Sequence, residues 1–135
     1  MAVAIIVGKV TGKQRPRFSR GIVYTPKQTQ QAERLIKSEY VKQCNEFFEG
    51  YIKIKIEIFK EIPKSYSKKQ VKAIEAGTLL PDKKPDNDNV EKLVFDALEG
   101  TAYENDKQII ENTTIKRYAK LGEKEYLKIN IEKVL

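Results

Sequence analysis

Lys84-Pro-Asp-Asn-Asp-Asn-Val-Glu-Lys-Leu-Val-Phe-Asp-Ala-Leu98 is the segment on which the fold of this 135-residue chain depends. Asp88, followed three residues later by Glu91, has the pattern of a capping box, and Gly100 is a stop signal. Between them, apolar residues recur at the spacing of one helix face: Val90, Leu93, Val94, Ala97 and Leu98. The segment therefore predicts an amphipathic helix from Asp88 to Leu98.

Alternating and β-branched segments on both sides of this helix predict strands. Tyr51 to Phe59 places four isoleucines on one face and Lys53, Lys55 and Glu57 on the other, as in a half-buried strand. Ala2 to Val7 is a short apolar run that predicts a buried strand. The segments 108–118 and 127–132 predict two C-terminal strands, which we expect to pair as a hairpin around Leu121-Gly122.

Two further helices are predicted from their start and stop signals. Thr25-Pro26 can start a helix, because Thr caps and Pro fits the first turn, and this helix should run to about Phe48. Ser67 and Gln70 form a capping box for a short helix that ends near Gly77. The order of elements predicts an α+β fold with a mixed β-sheet and helices packed on one face.

The composition limits both the domain count and the chemistry. With 40% hydrophobic and 33% charged residues, the chain is expected to form a single domain over residues 1–135. The absence of histidine excludes Ser-His-Asp and Cys-His nucleophiles and histidine metal ligands. One cysteine, Cys44, cannot form an internal disulfide, and the apolar opening is too short for a signal peptide, so a cytoplasmic location is expected.

A formal net charge of +7 suggests a polyanionic partner. The segment from Lys9 to Arg20 holds five basic residues and no acid, which predicts a basic loop, and a second basic stretch runs from Lys60 to Lys72. Both suit phosphate backbones, although charged runs are more often solvated surface. The predicted DNA-binding residues are Lys13, Arg15, Arg17, Arg20, Lys68 and Lys69, with Phe18, Tyr24 and Tyr66 near enough to stack on unpaired bases.

Carboxylates gather at the start of the predicted helix. Asp86 and Asp88 lie at its N-terminus, and Asp88, Lys92 and Asp96 lie along one helix face at a spacing of four. Crowded carboxylates need a cation, and oxygen ligands on a chain without histidine suit Mg²⁺ or Mn²⁺.

Structural explanations exist for each of these acids. Asp88 can be an N-cap, Lys92 and Asp96 an exposed ion pair, and Asp106 a turn residue. A calcium-binding loop is excluded, because it would place Glu91 where glycine is required.

The motifs together resemble the RusA family of Holliday-junction resolvases. The core of the resemblance is Lys84-Pro-Asp-x-Asp-Asn-x-x-Lys92, then Asp96-Ala-Leu-x-Gly100 and Asn105-Asp-x-Gln-Ile109. Further counterparts extend it over nearly the whole chain: Lys13-Gln-Arg-Pro-Arg-Phe18, Tyr24-Thr-Pro26, the serines and lysine that follow Pro63, Lys116 and Tyr118.

The resemblance implies a homodimeric, Mg²⁺-dependent endonuclease that resolves four-way DNA junctions by paired symmetric nicks, in a family often carried by phages. Asp86, Asp88 and Asp106 match its catalytic, metal-binding acids, and Lys92 matches the essential lysine beside them. Asp96 matches a recurrent acid that is expected to lie behind the metal ligands. Asn105 departs from the paired Asp of many members, which lowers the expected metal affinity.

Two other functions remain open at the level of the sequence. A non-catalytic dimer that binds branched nucleic acid would use the same basic residues, with the acids as caps and ion pairs. A metal-dependent ribonuclease or flap nuclease would share the acids and differ in its substrate.

Overall fold

The computed structural model describes residues 1–135, and its elements follow one another in the predicted α+β order. The strands are β1 Ala2–Val7, β2 Arg17–Ser19, β3 Ile22–Tyr24, β4 Ile52–Lys60, β5 Ile109–Tyr118 and β6 Tyr126–Lys133. The helices are α1 Lys27–Gln43, α2 Lys68–Glu75 and α3 Asn87–Leu98, and a 3₁₀ turn spans Asp106–Gln108. None of the helices combines the length and the apolar character that crossing a membrane would require.

The main sheet is mixed and four-stranded, in the order β1-β6-β4-β5. β4 pairs antiparallel with β6 and parallel with β5, so the prediction of a β5–β6 hairpin is wrong. Residues 119–125 carry the chain past β4, a distance of about 10 Å at the usual strand spacing. A turn at Leu121-Gly122 serves adjacent strands and strands separated by a third equally well, so the sequence does not distinguish the two arrangements.

One face of this sheet is buried under α1 and α3. Ile52, Ile54, Ile56 and Ile58 of β4 are at most 2% exposed, which confirms the predicted apolar face. On the other face Glu57 is buried instead of exposed, and it accepts a hydrogen bond from Arg117 at 3.0 Å. They share a core with the apolar side of α3 and with Ile36 of α1. Each such buried aliphatic side chain contributes roughly 1.5–3 kcal/mol of burial free energy, so the sheet and α3 form one stable frame.

Helix α1 differs from its prediction at both ends. Its N-cap is Pro26, with no side-chain cap, so Thr25 does not cap it. It ends at Gln43 instead of near Phe48, where the Phe48 N–H donates to the Ala102 carbonyl at 2.7 Å. That bond to a distant segment ties residues 44–48 to the rest of the fold. The α2 capping box of Ser67 and Gln70, in contrast, is confirmed.

Part of the predicted basic loop is a β-hairpin. β2 and β3 pair with each other as a separate two-stranded sheet and with no strand of the main sheet. Arg20 and Gly21 have φ values of 51° and 77°, as the two central residues of a type I′ turn require. Type I′ turns usually contain Asn-Gly, whereas this turn contains Arg-Gly, so the local sequence does not predict the hairpin.

Candidate functional site

Asp86 and Asp88 stand at the beginning of α3, and neither is neutralised by another side chain. The N-cap of α3 is Asp86, and its side chain makes no capping hydrogen bond, so the predicted Asp88–Glu91 capping box is wrong. Glu91 instead accepts a hydrogen bond from the Thr114 hydroxyl at 2.8 Å. No ion pair of the structure includes Asp86 or Asp88. Both exposed carboxylates are thus available to a ligand.

Strand β5 holds the segment that carries these acids. The Lys116 ammonium donates to the carbonyls of Lys83 at 2.7 Å and Pro85 at 2.9 Å. The Asn87 amide donates to the Thr114 carbonyl at 3.1 Å. These hydrogen bonds hold the chain on both sides of Asp86 against strand β5.

A cleft of about 960 Å³ opens in front of Asp86 and Asp88, and it is strongly basic. Of its 17 lining residues, only Val10 is hydrophobic, and the two aspartates are the only acids. Its seven basic residues are Lys9, Lys13, Arg15, Arg17, Lys60, Lys84 and Lys92. Two of the seven are already paired, Lys13 with Asp96 and Lys60 with Glu125 at 3.0 Å. The other five cations and the two unneutralised carboxylates are suited to bind a polyanion and a divalent cation together.

The basic segment 9–17 is fixed onto the first turn of α3. The Lys13 N–H donates to the Asn89 carbonyl at 2.9 Å. A Cβ at Gly12 would lie only 2.7 Å from the Cβ of Asn89, so glycine permits this close approach. One wall of the cleft is therefore held against the helix that carries the acids.

Asp96 has a different role from Asp86 and Asp88, because a cation neutralises it. Its carboxylate accepts a hydrogen bond from the Lys13 ammonium, which also lies 3.7 Å from Glu33 on α1. Burial lowers the pKa of Lys13, but the hydrogen bond and charge of Asp96, with Glu33, outweigh it and raise the pKa above its ordinary value. Lys92 does not pair with Asp96, so these two residues are not the exposed ion pair considered as the alternative.

Asp106 lies at the opposite end of α3 from Asp86. It follows Tyr103, whose hydroxyl donates to the Phe95 carbonyl in the last turn of α3 at 2.7 Å. Asp106 stands three residues after Tyr103, and burial and then the charge of Asp106 raise the pKa of Tyr103. The 12 residues of α3 span about 18 Å, so the third predicted acid does not join the other two within one chain.

Asn105, where the sequence departs from paired Asp, has a structural task. Its side chain accepts from the Lys107 N–H at 2.8 Å, and with Gln108 it forms a capping box for the 3₁₀ turn. The Gln108 amide also donates to the carbonyls of Phe48 and Gly50, just before β4 begins. This cap is not among the sequence predictions, and it fixes the turn that carries Asp106.

The donor set suits a hard cation only in part. No three carboxylate or cysteine side chains of the chain come close enough to hold a metal ion. Mg²⁺, however, is commonly bound through one or two carboxylates, several waters and substrate phosphates. Asp86 and Asp88 fit that description. Asn87, which stands between them in the sequence, has a buried Oδ1 that accepts no hydrogen bond.

The remaining predicted DNA-binding residues divide into two groups. Arg15 and Arg17 line the cleft, and Arg20 is exposed at the tip of the hairpin beside it. Lys68 and Lys69 are exposed at the start of α2 and do not line the cleft. Tyr66 packs edge-on against Tyr118, with hydroxyl oxygens 3.2 Å apart.

Known proteins that this chain resembles include a nuclease family and a protein of Bacillus subtilis. The family model described as Endodeoxyribonuclease RusA matches residues 8–132. YqaN of Bacillus subtilis (strain 168), an uncharacterized protein, is 36% identical over 72 residues. That alignment covers 52% of this chain and 51% of the relative, so the chain matches about half the length of YqaN.

Proposed function

The chain belongs to the RusA family of endodeoxyribonucleases, and from that membership we propose that it is a Mg²⁺-dependent nuclease that resolves four-way DNA junctions by paired symmetric nicks. The observation that carries the proposal is the pair of unneutralised carboxylates, Asp86 and Asp88, in a cleft with seven basic residues. A cleft of this charge attracts phosphate backbones, and the two acids in it supply oxygen ligands for a hard cation.

In the proposed site Asp86, Asp88 and Asp106 hold the metal, with Mn²⁺ able to replace Mg²⁺. Bound there, the cation supplies an activated water and neutralises charge on the phosphate and on the leaving 3′ oxygen. Lys92, one helical turn after Asp88 and also in the cleft, orients and neutralises the scissile phosphate as a point charge. Asp96 acts behind the site by neutralising Lys13.

We propose that the protein is a cytoplasmic homodimer, and the position of Asp106 supports the dimer. A nearly two-fold junction has two equivalent strands to cut, which suits a two-fold protein with two identical sites. Because Asp106 lies an α3 length away from Asp86 and Asp88, we assign the third acid of each site to a second copy of the chain. Each site is then complete only in the dimer.

The decisive experiment compares a strand-labelled four-way junction with a matched linear duplex, in Mg²⁺ and in chelator. We expect symmetric nicks in the junction alone, lost in chelator and in Asp88→Asn, while junction binding by that variant persists. The control is Asp82→Asn, an exposed aspartate of the same segment outside the cleft, which should cut normally. Equal loss of cutting and binding in Asp88→Asn would make the acid structural and contradict the proposal.

A non-catalytic dimer that binds branched nucleic acid is the second candidate. The observation that favours it is the lack of three convergent metal-ligating side chains within one chain. Tight junction binding without cutting in either Mg²⁺ or Mn²⁺ would establish this function in place of the nuclease.

A further inference from the structure

The β2–β3 hairpin carries large apolar side chains that nothing in the chain covers. All six of its strand residues are exposed, with Phe18 at 72%, Ile22 at 66% and Val23 at 65%. Phe18 lies directly opposite Val23 in the hairpin, so these two side chains share one face. An exposed apolar pair on a projecting hairpin indicates a binding surface.

The charged residues in the sequence around this apolar pair are all basic. Residues 1–32 contain no acid, and their basic residues are Lys9, Lys13, Arg15, Arg17, Arg20 and Lys27. Arg15 and Arg17 line the cleft that holds Asp86 and Asp88, so the hairpin rises directly from a wall of the candidate site. Because the hairpin and the cleft are adjacent, one large ligand can contact both. Both surfaces are basic, so we expect that ligand to be a polyanion.

Arg20 has a left-handed backbone conformation that arginine rarely adopts. With φ at 51°, it lies in the left-handed region, where Asn and Gly are preferred at the first central position of a type I′ turn. Its side chain is exposed and makes no ion pair. A disfavoured backbone conformation at an exposed arginine points to a role for its charge.

We propose that the hairpin, residues 17–24, is an arm that recognises the branch point of a DNA junction. Phe18 and Val23 cover base faces that are exposed where the duplex arms meet, while Arg17 and Arg20 contact the flanking phosphates. This inference rests on the proposed function and deepens it, because it names the part of the protein that distinguishes branched from linear DNA. Contact between the hairpins of two copies is disfavoured, since it would bring like charges together.

The first test measures binding without cutting, in chelator, to a four-way junction and to a matched linear duplex. Phe18→Ala should weaken junction binding by about tenfold, the size of one lost base stack, and leave duplex binding within about twofold. The matched control is Val41→Ala, because Val41 is 43% exposed on α1 and lies neither in the cleft nor in the turn that carries Asp106. This control should bind both DNAs as the unaltered protein does.

A fluorescent base analogue, 2-aminopurine, at the branch point reports the contact directly. Its emission should change when the unaltered protein binds and should not change with Phe18→Ala, even at saturating protein. The same analogue in the middle of an arm should respond to neither protein.

Arg20→Asn separates the charge from the turn. Because Asn suits the turn better than Arg, the fold should be unharmed, while the loss of one phosphate contact should reduce the salt dependence of binding by about one unit of slope. Lys37→Asn, at an exposed cation on α1, should leave that slope unchanged.

The outcomes distinguish this inference from the function on which it rests. If the unaltered protein prefers the junction and Phe18→Ala keeps both the preference and the 2-aminopurine response, the hairpin inference alone is overturned. If Phe18→Ala converts a dimer to monomers in sedimentation, the hairpin is a subunit contact and the inference is also overturned. If the unaltered protein does not prefer the junction, both this inference and the proposed function fail.

Discussion

The aspartates of the α3 region differ in whether another side chain neutralises them. Asp86 and Asp88 have no ion-pair partner and face the cleft, whereas Asp96 is paired with Lys13. A paired carboxylate is a poor metal ligand, because its cation must first be displaced. The pairing also connects α3 to the basic segment that forms one wall of the cleft.

We expect Asp96→Asn to loosen that wall without removing a metal ligand. The lost ion pair is partly exposed, so the free energy of unfolding should fall by only about 0.5–1 kcal/mol. Hydrogen exchange at Lys13 should accelerate, and the KM for junction DNA should rise more than kcat falls. Glu99→Gln, an exposed and unpaired acid at the end of α3, is the control. Unchanged exchange at Lys13 would show that Asp96 does not hold the segment.

At the scale of elements, β4 organises the sheet. It is the only strand of the main sheet with a parallel neighbour on one side and an antiparallel neighbour on the other. Its four isoleucines pack under α3, so the strand that gives the sheet its core also supports the helix that carries the acids. A substitution that destabilises this face of β4 is therefore also expected to disturb the position of α3 and of the acids at its start.

Ile56→Ala tests how much the fold depends on that face. Ile56 is 0% exposed, so its truncation leaves a cavity and should lower the free energy of unfolding by about 2–5 kcal/mol. Lys55→Ala, on the opposite and exposed face of the same strand, should change it by no more than about 0.5 kcal/mol. Urea unfolding measures both, and similar losses in the two variants would contradict the assignment of faces.

Tyr40 of helix α1 is expected to make the free energy of unfolding decrease at alkaline pH. Burial, followed by the charges of Cys44 and Glu46, raises the pKa of Tyr40 from 10.0 to about 12. Since the folded state holds this proton more tightly than the unfolded state, the contribution of Tyr40 to stability is complete below about pH 10 and is lost as the pH rises towards 12. We expect urea unfolding to show a smaller loss over that range in Tyr40→Phe than in the unaltered protein. An equal loss in both would exclude Tyr40 as a source of the pH dependence.

At the scale of the whole molecule, the predicted acids lie at two ends of α3. One chain places Asp86 and Asp88 in the cleft and Asp106 beside the start of β5. A metal site that uses all three therefore requires two chains, and this requirement links the proposed chemistry to the proposed dimer.

Mixing two inactive variants tests this arrangement. If each site takes Asp106 from the second copy, a dimer of one Asp88→Asn chain and one Asp106→Asn chain holds one intact site. Exchange of subunits should then restore nicking to about a quarter of the original rate, because about half of the dimers are mixed and each has one working site. Junctions should be nicked in one strand at a time. If nicking does not recover after verified subunit exchange, the second copy does not supply Asp106 to the site.

The local elements and the family could be predicted from the sequence alone. Alternation predicted β4, the helical spacing of apolar residues predicted α3, and Ser67 with Gln70 predicted the start of α2, because each pattern depends on neighbours a few residues apart. The ordered motifs indicated the RusA family, which the match over residues 8–132 confirmed.

The meeting of distant residues, in contrast, became visible only in three dimensions. The fold inserts β4 between β5 and β6, pairs Asp96 with Lys13, gives Asn105 a capping role and separates Asp106 from Asp86. These outcomes depend on strand order and on the close approach of distant segments, and neither is encoded in the spacing of nearby residues. Local periodicity thus specifies what the elements are, and long-range packing specifies which side chains share a site.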